Sequence, residues 1–129
     1  MAPPSDLLRL GVAEARDKLA SREISAVELT EAYLDAMART RDLNAYIAET
    51  PERARADAAA ADAMISRGEG GSLTGLPIGL KDLFCTEGVR TTAASRILGE
   101  FTPPYESTVS GKLKAAGAVL LGKTNLDEF

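Results

Sequence analysis

The sequence predicts an α/β fold whose sheet is covered by helices on both faces, and three observations lead there. Two continuous apolar runs, LPIGL at 76–80 and AVLLG at 118–122, read as strands buried on both sides. Each follows a segment with helical periodicity, so helix and strand alternate along the chain. Apolar residues make up 45% of the 129 residues but aromatics only 5%, with no tryptophan. The core must therefore be built from Ala, Leu, Ile and Val in closely packed helices and sheet.

Taken in order, Ser5 or Asp6 can cap a first helix, with Leu8, Val12, Ala15 and Leu19 as its apolar stripe. After the polar break SREIS, Ser25 opens a capping box with Glu28. The helix that follows carries Ala26, Leu29, Tyr33 and Met37 on one side and should end between Thr40 and Asp42. These two segments are expected to form a helical hairpin lying against other parts of the fold. LNAYIAE at 43–49 favours an extended segment through Tyr46 and Ile47. Thr50-Pro51 then starts a helix, with threonine as cap and proline in the first turn. Its narrow face is Ala54, Ala58, Ala61 and Ile65, and Gly68, Gly70 and Gly71 stop it.

The strand at 76–80 comes next. The stretch after it, punctuated by Gly88, Gly99 and Pro103-Pro104, reads as irregular structure with clustered Thr and Ser around Arg90. Ser107 can cap a further helix whose buried face would be Val109, Leu113 and Ala116, with Gly117 as its left-handed C-terminal glycine. The strand at 118–122 and a polar exit, KTNLDEF, complete the chain. Residues 1–68 thus read as a mainly helical region and 69–129 as a strand–loop–helix–strand region. The stop at Phe129, directly after a strand and its exit loop, reads as an interruption inside a larger α/β domain.

Several function classes are excluded by composition. With no histidine, there is no histidine triad, histidine metal site or HExxH motif. The single cysteine, Cys85, permits neither an internal disulfide nor a multi-cysteine metal cluster. A net charge of −4 lacks the basic footprint of a free-standing nucleic-acid binder. MAPPSDLL is not a secretory signal, and no apolar run is long enough to span a bilayer. A soluble cytoplasmic protein is the expectation.

Lys81 is the foremost candidate for chemistry. It directly follows an apolar run, so its stem is expected to be buried. Desolvation lowers a lysine pKa towards the range of a general base. The competing reading is an ion pair with Asp82 or another carboxylate, fastening the strand end to the loop. Thr91, Thr92 and Ser95 can line a pocket, although capping and turn formation are the commoner uses of such hydroxyls. Lys123, Thr124 and Asn125 would reach the same sheet edge as Lys81 if the two strands are parallel neighbours. Cys85 lacks an ordinary activating base, and the glycines around Lys81 do not match a phosphate-binding loop.

Three blocks, LTGLPIGLKDLFCTEGVRTTAAS, PPYESTV and KLKAAGAVLLGKTNLDEF, resemble the front part of the amidase signature family. The resemblance spans the chain, loosely at ISAVELTEAYLDAM and densely from Leu73 onward. It implies a large mixed β-sheet with helices on both sides, in a single domain far longer than this chain. It also implies a serine–cis-serine–lysine triad in which Lys81 is the base. Asp82 matches the adjacent acid, and Lys123, Thr124 and Asn125 match the family's KTN segment. Both serines fall downstream of residue 129, so neither Ser95 nor Ser107 fills those roles, and the segment alone is expected to be inert.

Within the family, Asp127 and the CTEGVRTTAAS block are most similar to the glutaminase subunits of tRNA-dependent amidotransferases. That likeness implies glutamine as substrate, other subunits of a heterotrimer as partners, and charged tRNA reached through the complex. ATP and magnesium would serve a partner subunit's reaction, with no cofactor in this chain and no contact with DNA or membrane. Two alternatives stand beside it: a stand-alone amidase of small amides, and a non-enzymatic interaction module retaining the amidase front half.

Overall fold

A computed structural model describes residues 4–127. A short helix, α1 (Pro4–Leu7), leads to α2 (Val12–Ala20), α3 (Ala26–Arg39) and a 3₁₀ turn at Arg41–Leu43. Strand β1 (Tyr46–Glu49), α4 (Pro51–Ser66), β2 (Pro77–Lys81), α5 (Thr108–Ala115) and β3 (Val119–Thr124) complete it.

The first expected helix is two. Gly11 takes an extended conformation (φ −72°, ψ 163°) and starts α2 afresh, so the stripe from Leu8 to Leu19 is broken. Leu7 is buried in the core instead, and Val12 is 72% exposed. The capping box of α3 is present: the Ser25 hydroxyl accepts from the Glu28 amide at 3.0 Å, and the Glu28 carboxylate accepts from the Ser25 amide at 3.0 Å. The expected hairpin partner is replaced, since α3 packs principally against α4. Alanines at 54, 58 and 61, each at most 1% exposed, let the two helices approach closely. Asp62 of α4 adds a tertiary cap by accepting from the Ala26 and Val27 amides at 2.7 and 3.1 Å. Thr50 precedes α4 as expected but makes no side-chain cap; its hydroxyl donates to the Leu120 carbonyl at 3.0 Å, tying helix to sheet.

The sheet is mixed, in the order β1-β3-β2, with β1 antiparallel and β2 parallel to β3. On one face, Leu76, Val119 and Leu121 join Leu29, Met37, Ala54 and Ala58 in the main core. On the other, Ile78, Leu80 and Leu120 meet Leu113 of α5 and the long loop after β2. Strands covered on both sides cannot alternate polar and apolar residues, which is why 76–80 and 118–122 read as continuous runs.

Two details of β3 differ from expectation. The strand runs on through Lys123 and Thr124, so these residues belong to the ladder and not to the exit loop. Its register against β2 also slips: Ile78 pairs with Leu120 but Gly79 with Gly122, leaving Leu121 as an extra residue. Strict alternation would send Lys123 to the helical face with Val119 and Leu121. The bulge instead returns it to the face of Leu80 and Leu120.

Helix α5 is capped as predicted, the Ser107 hydroxyl accepting from the Ser110 amide at 3.1 Å, and Gly117 follows it at φ +83°. Its buried residue is Ser110, however, while Val109 is 44% exposed and Leu113 and Ala116 are half-buried. The helix is short and amphipathic only weakly, so the loop rather than the apolar stripe sets its orientation. Ser110 donates from its hydroxyl to the Cys85 carbonyl at 2.9 Å.

Candidate active site

The parallel pairing of β2 and β3 brings their carboxyl ends together, with Lys81 opposite Thr124 and Leu80 opposite Lys123. Every residue singled out in KD, TT and KTN therefore lies at one end of the sheet, where ligands bind in open α/β folds.

Lys81 is exposed, which corrects the expectation of a buried stem. Its Nζ donates to the Asn125 carbonyl at 3.3 Å. Nor is it paired with Asp82, whose carboxylate takes its hydrogen bonds from the loop at Oδ2 while its buried Oδ1 has no hydrogen-bond partner among the described residues. Asp82 is fully buried, and its Oδ2 accepts from the Thr92 hydroxyl, the Thr92 amide at 3.1 Å and the Ala94 amide at 3.3 Å. Its backbone is held as firmly: the amide donates to the Thr124 carbonyl at 3.1 Å and the carbonyl accepts from Ala93 at 2.9 Å. To meet Asp82 in this way, Ala93 and Ala94 both adopt left-handed conformations, φ +51° and +56°. Two successive non-glycine residues in that region are sterically disfavoured and need surrounding contacts to persist.

The buried lysine is Lys123, with no exposed surface. Its ammonium donates to the Phe84 carbonyl at 2.6 Å and to the Thr91 and Thr86 hydroxyls at 2.9 and 3.0 Å. An ammonium has three hydrogens, and these three acceptors use them all. Burial pushes the Lys123 pKa below the ordinary lysine value, and the negative charge of Asp82 opposes that shift. Each threonine passes the polarity on, Thr86 donating to the Phe84 carbonyl and Thr91 to the Val89 carbonyl, both at 3.0 Å. Thr86 was not distinguishable in the sequence from an ordinary turn residue; its role follows from the register of β3.

Asn125 connects the site to the β1 side. Its amide donates to the Ala45 carbonyl at 2.9 Å and its side-chain nitrogen to the Asn44 carbonyl at 3.4 Å. Arg90 anchors the loop to β1 itself, donating to the Ile47 carbonyl at 3.2 Å. Ser95 is buried and accepts from the Ile97 amide at 3.2 Å, and Ser107 caps α5. The Cys85 thiol points to the Tyr105 hydroxyl at 3.7 Å. Among the described residues no group of three or more Cys, Asp or Glu side chains is placed to hold a metal ion. Asp127 is exposed, while Glu128 and Phe129, the end of the NLDEF block, lie outside the described residues.

The arrangement offers one exposed amine on a rigidly held strand end, with a buried polar network beneath it. Such a site can accept or relay a proton; covalent amide chemistry needs a nucleophile and oxyanion donors in addition.

A family model described as Amidase matches residues 28–129, and the chain belongs to that family. Among curated proteins, it is 62% identical over 125 residues to the A subunit of the glutamyl-tRNA(Gln) amidotransferase of Nitrobacter winogradskyi, covering 97% of this chain and 26% of that protein. Among solved structures, the peptide amidase of Stenotrophomonas maltophilia superposes with a TM-score of 0.86 at 34% identity, over 93% of this chain and 25% of that one. A structure of a vestigial protein complex that bears on the origins of an s-triazine catabolic enzyme gives 0.87 at 41%, over 92% and 27%. The chain thus spans about a quarter of the length of the curated relatives it matches.

Proposed function

We propose that residues 1–129 are the N-terminal part of a single amidase domain in the glutamine-hydrolysing component of a tRNA-dependent amidotransferase. In this reading the full-length protein releases ammonia from glutamine. The ammonia serves to convert Glu-tRNA(Gln) to Gln-tRNA(Gln), or Asp-tRNA(Asn) to Asn-tRNA(Asn). The observation that carries it is the 62% identity to the A subunit of such an amidotransferase along 97% of the chain, with Lys81 at the open end of the sheet.

Lys81 is then the general base of a serine–cis-serine–lysine triad. The deprotonated amine takes a proton from the bridging serine, which takes one from the serine that attacks the glutamine amide carbon. Both serines are supplied from outside residues 1–129, so this segment alone does not turn over glutamine. Asp82, Thr91, Thr92, Lys123, Thr124 and Asn125 support the lysine without touching substrate. ATP and magnesium belong to the step in which a partner protein activates the tRNA-linked carboxylate, and the assembly works in the cytoplasm. Among the described residues no helix is long and apolar enough to cross a membrane.

The test is ammonia release from glutamine by the 129-residue chain, the full-length protein and its Lys81→Ala variant. The expected order is none, full, and a loss of at least about 10³-fold, within the range for removing a catalytic base and its relay. Lys81-dependent turnover by the short chain would overturn the proposal. A stand-alone amidase is the second reading, supported by the 34% identity to a peptide amidase. Preference for small amides over glutamine, with no response to partner subunits, would select it.

A further inference from the structure

Two lysines end neighbouring strands, and their surroundings give them different tasks. Lys81 keeps an exposed amine, while Lys123 has no exposed surface and spends all three hydrogens on Phe84, Thr86 and Thr91. All three acceptors lie in the loop that leaves β2 immediately after Lys81 and Asp82. Asp82 holds the far limb of the same loop, at Thr92 and Ala94. Thr91 and Thr92 are consecutive, so one dipeptide is gripped by opposite charges rooted in two adjacent strands.

The end of β3 acts on Lys81 at three successive residues. Lys123 secures the loop, the Thr124 carbonyl receives the Asp82 amide, and the Asn125 carbonyl receives the Lys81 ammonium. Strand, loop and amine therefore share one fastening. If the loop loosens, the Asp82 carboxylate loses its amide donors and the Asp82 carbonyl loses the Ala93 amide, leaving the Asp82 backbone after Lys81 held only by the Thr124 carbonyl.

The geometry points to Lys123 as a positioning residue for the reaction: it fixes the loop that holds the base Lys81 in place, without itself exchanging protons with substrate. This rests on the reading of Lys81 as the base. A fully buried ammonium engaged with three neutral oxygens presents no N–H to a ligand, so a second base is the wrong role for it. The bulge at Leu121 is what delivers it there, and a strand without that bulge would place the charge in the helical core.

The experiment uses the full-length protein with Lys123→Met, Thr91→Val and Thr91→Ser. It measures kcat and KM for glutamine hydrolysis, thermal melting, and amide hydrogen exchange at Thr92, Ala93 and Ala94. Lys123→Met is expected to lower kcat about 10- to 100-fold, as misplacement of a reacting group does, with KM changed by less than about threefold. Exchange at the three amides should rise. Thr91→Val should reproduce part of the loss, and Thr91→Ser, which keeps the acceptor, should restore it. Should Lys123→Met fail to fold, the Thr91 pair decides. The inference is overturned if kcat per folded molecule stays at the parental level, whether or not exchange rises, or if Thr91→Ser is as impaired as Thr91→Val. Lys81→Ala is assayed alongside: activity surviving it removes the base reading, whereas unaltered turnover in the Lys123 and Thr91 variants removes only the positioning role.

Discussion

Asp82 and Lys123 are both wholly buried, carry opposite charges and hold one loop from two strands, with the threonines at 91 and 92 lying between them. The loop satisfies the Lys123 ammonium fully and the Asp82 carboxylate at Oδ2. Asp82 receives hydroxyl and amide hydrogens, and Lys123 gives hydrogens to a carbonyl and two hydroxyls. The pair is thereby different from a surface ion pair, which contributes about 0–1 kcal/mol.

Removing one of the two leaves the other buried without its counter-charge. Asp82→Ala and Lys123→Met should each destabilise by about 3–5 kcal/mol in urea unfolding. The double variant should cost less than the sum by about 1–3 kcal/mol, the signature of residues within one network. Strict additivity would show that the two charges act on the loop independently.

The lowered pKa of Lys123 sets a sign for the pH dependence. Between that lowered value and the ordinary 10.5, the unfolded chain binds the proton that the folded chain has released. Stability therefore rises with pH through this window, and the contribution is lost as pH falls through the folded pKa. Tyr46 opposes this above about pH 10, because burial raises its pKa and its stabilising term disappears as the unfolded phenol ionises. Urea midpoints followed as pH rises towards 10.5 should climb in the parent relative to Lys123→Met; parallel curves would contradict the assignment.

Glycines in this chain divide by what surrounds them. A Cβ at Gly122 would lie 2.5 Å from the Ala48 carbonyl oxygen and 2.9 Å from the Tyr46 ring, so Gly122→Ala must push β1 off β3. A loss of about 2–4 kcal/mol is expected, in the range for overpacking combined with broken ladder bonds. Gly88 meets nothing within 4 Å but sits at φ +75°, so Gly88→Ala should cost about 1–2 kcal/mol, the left-handed penalty alone. Thermal melts of the two variants should separate these costs.

Two caps on one helix test local against tertiary control. Ser25→Ala removes the capping box of α3 and should cost about 1 kcal/mol. Asp62→Ala also strips acceptors from the Ala26 and Val27 amides and loosens α4 from α3, so it should cost more than Ser25→Ala in the same urea titration. Equal effects would mean that Asp62 does no more than a solvent-exposed cap.

Much of the fold was legible from local chemistry. Ser25 with Glu28, Pro51 after Thr50, and Gly117 marked helix ends where the structure has them, because caps and turns are satisfied by neighbours in the chain. The apolar runs marked two strands; the structure pairs them as parallel neighbours, which brings Lys81, Asp82, Lys123, Thr124 and Asn125 to one sheet end, and hydrogen bonds to Asp82 and Lys123 bring Thr92 and Thr91 there. The sequence by itself also determined family membership, through three ordered blocks. What it did not determine was which lysine is buried. Position after an apolar run pointed to Lys81, yet Lys81 is exposed and Lys123 is enclosed. A one-residue bulge at Leu121 decides which face Lys123 takes, and a loop closed by residues 84–94 supplies its acceptors. Both depend on pairing between residues distant in the chain, and the burial of a charge is governed by such partners rather than by its sequence neighbours.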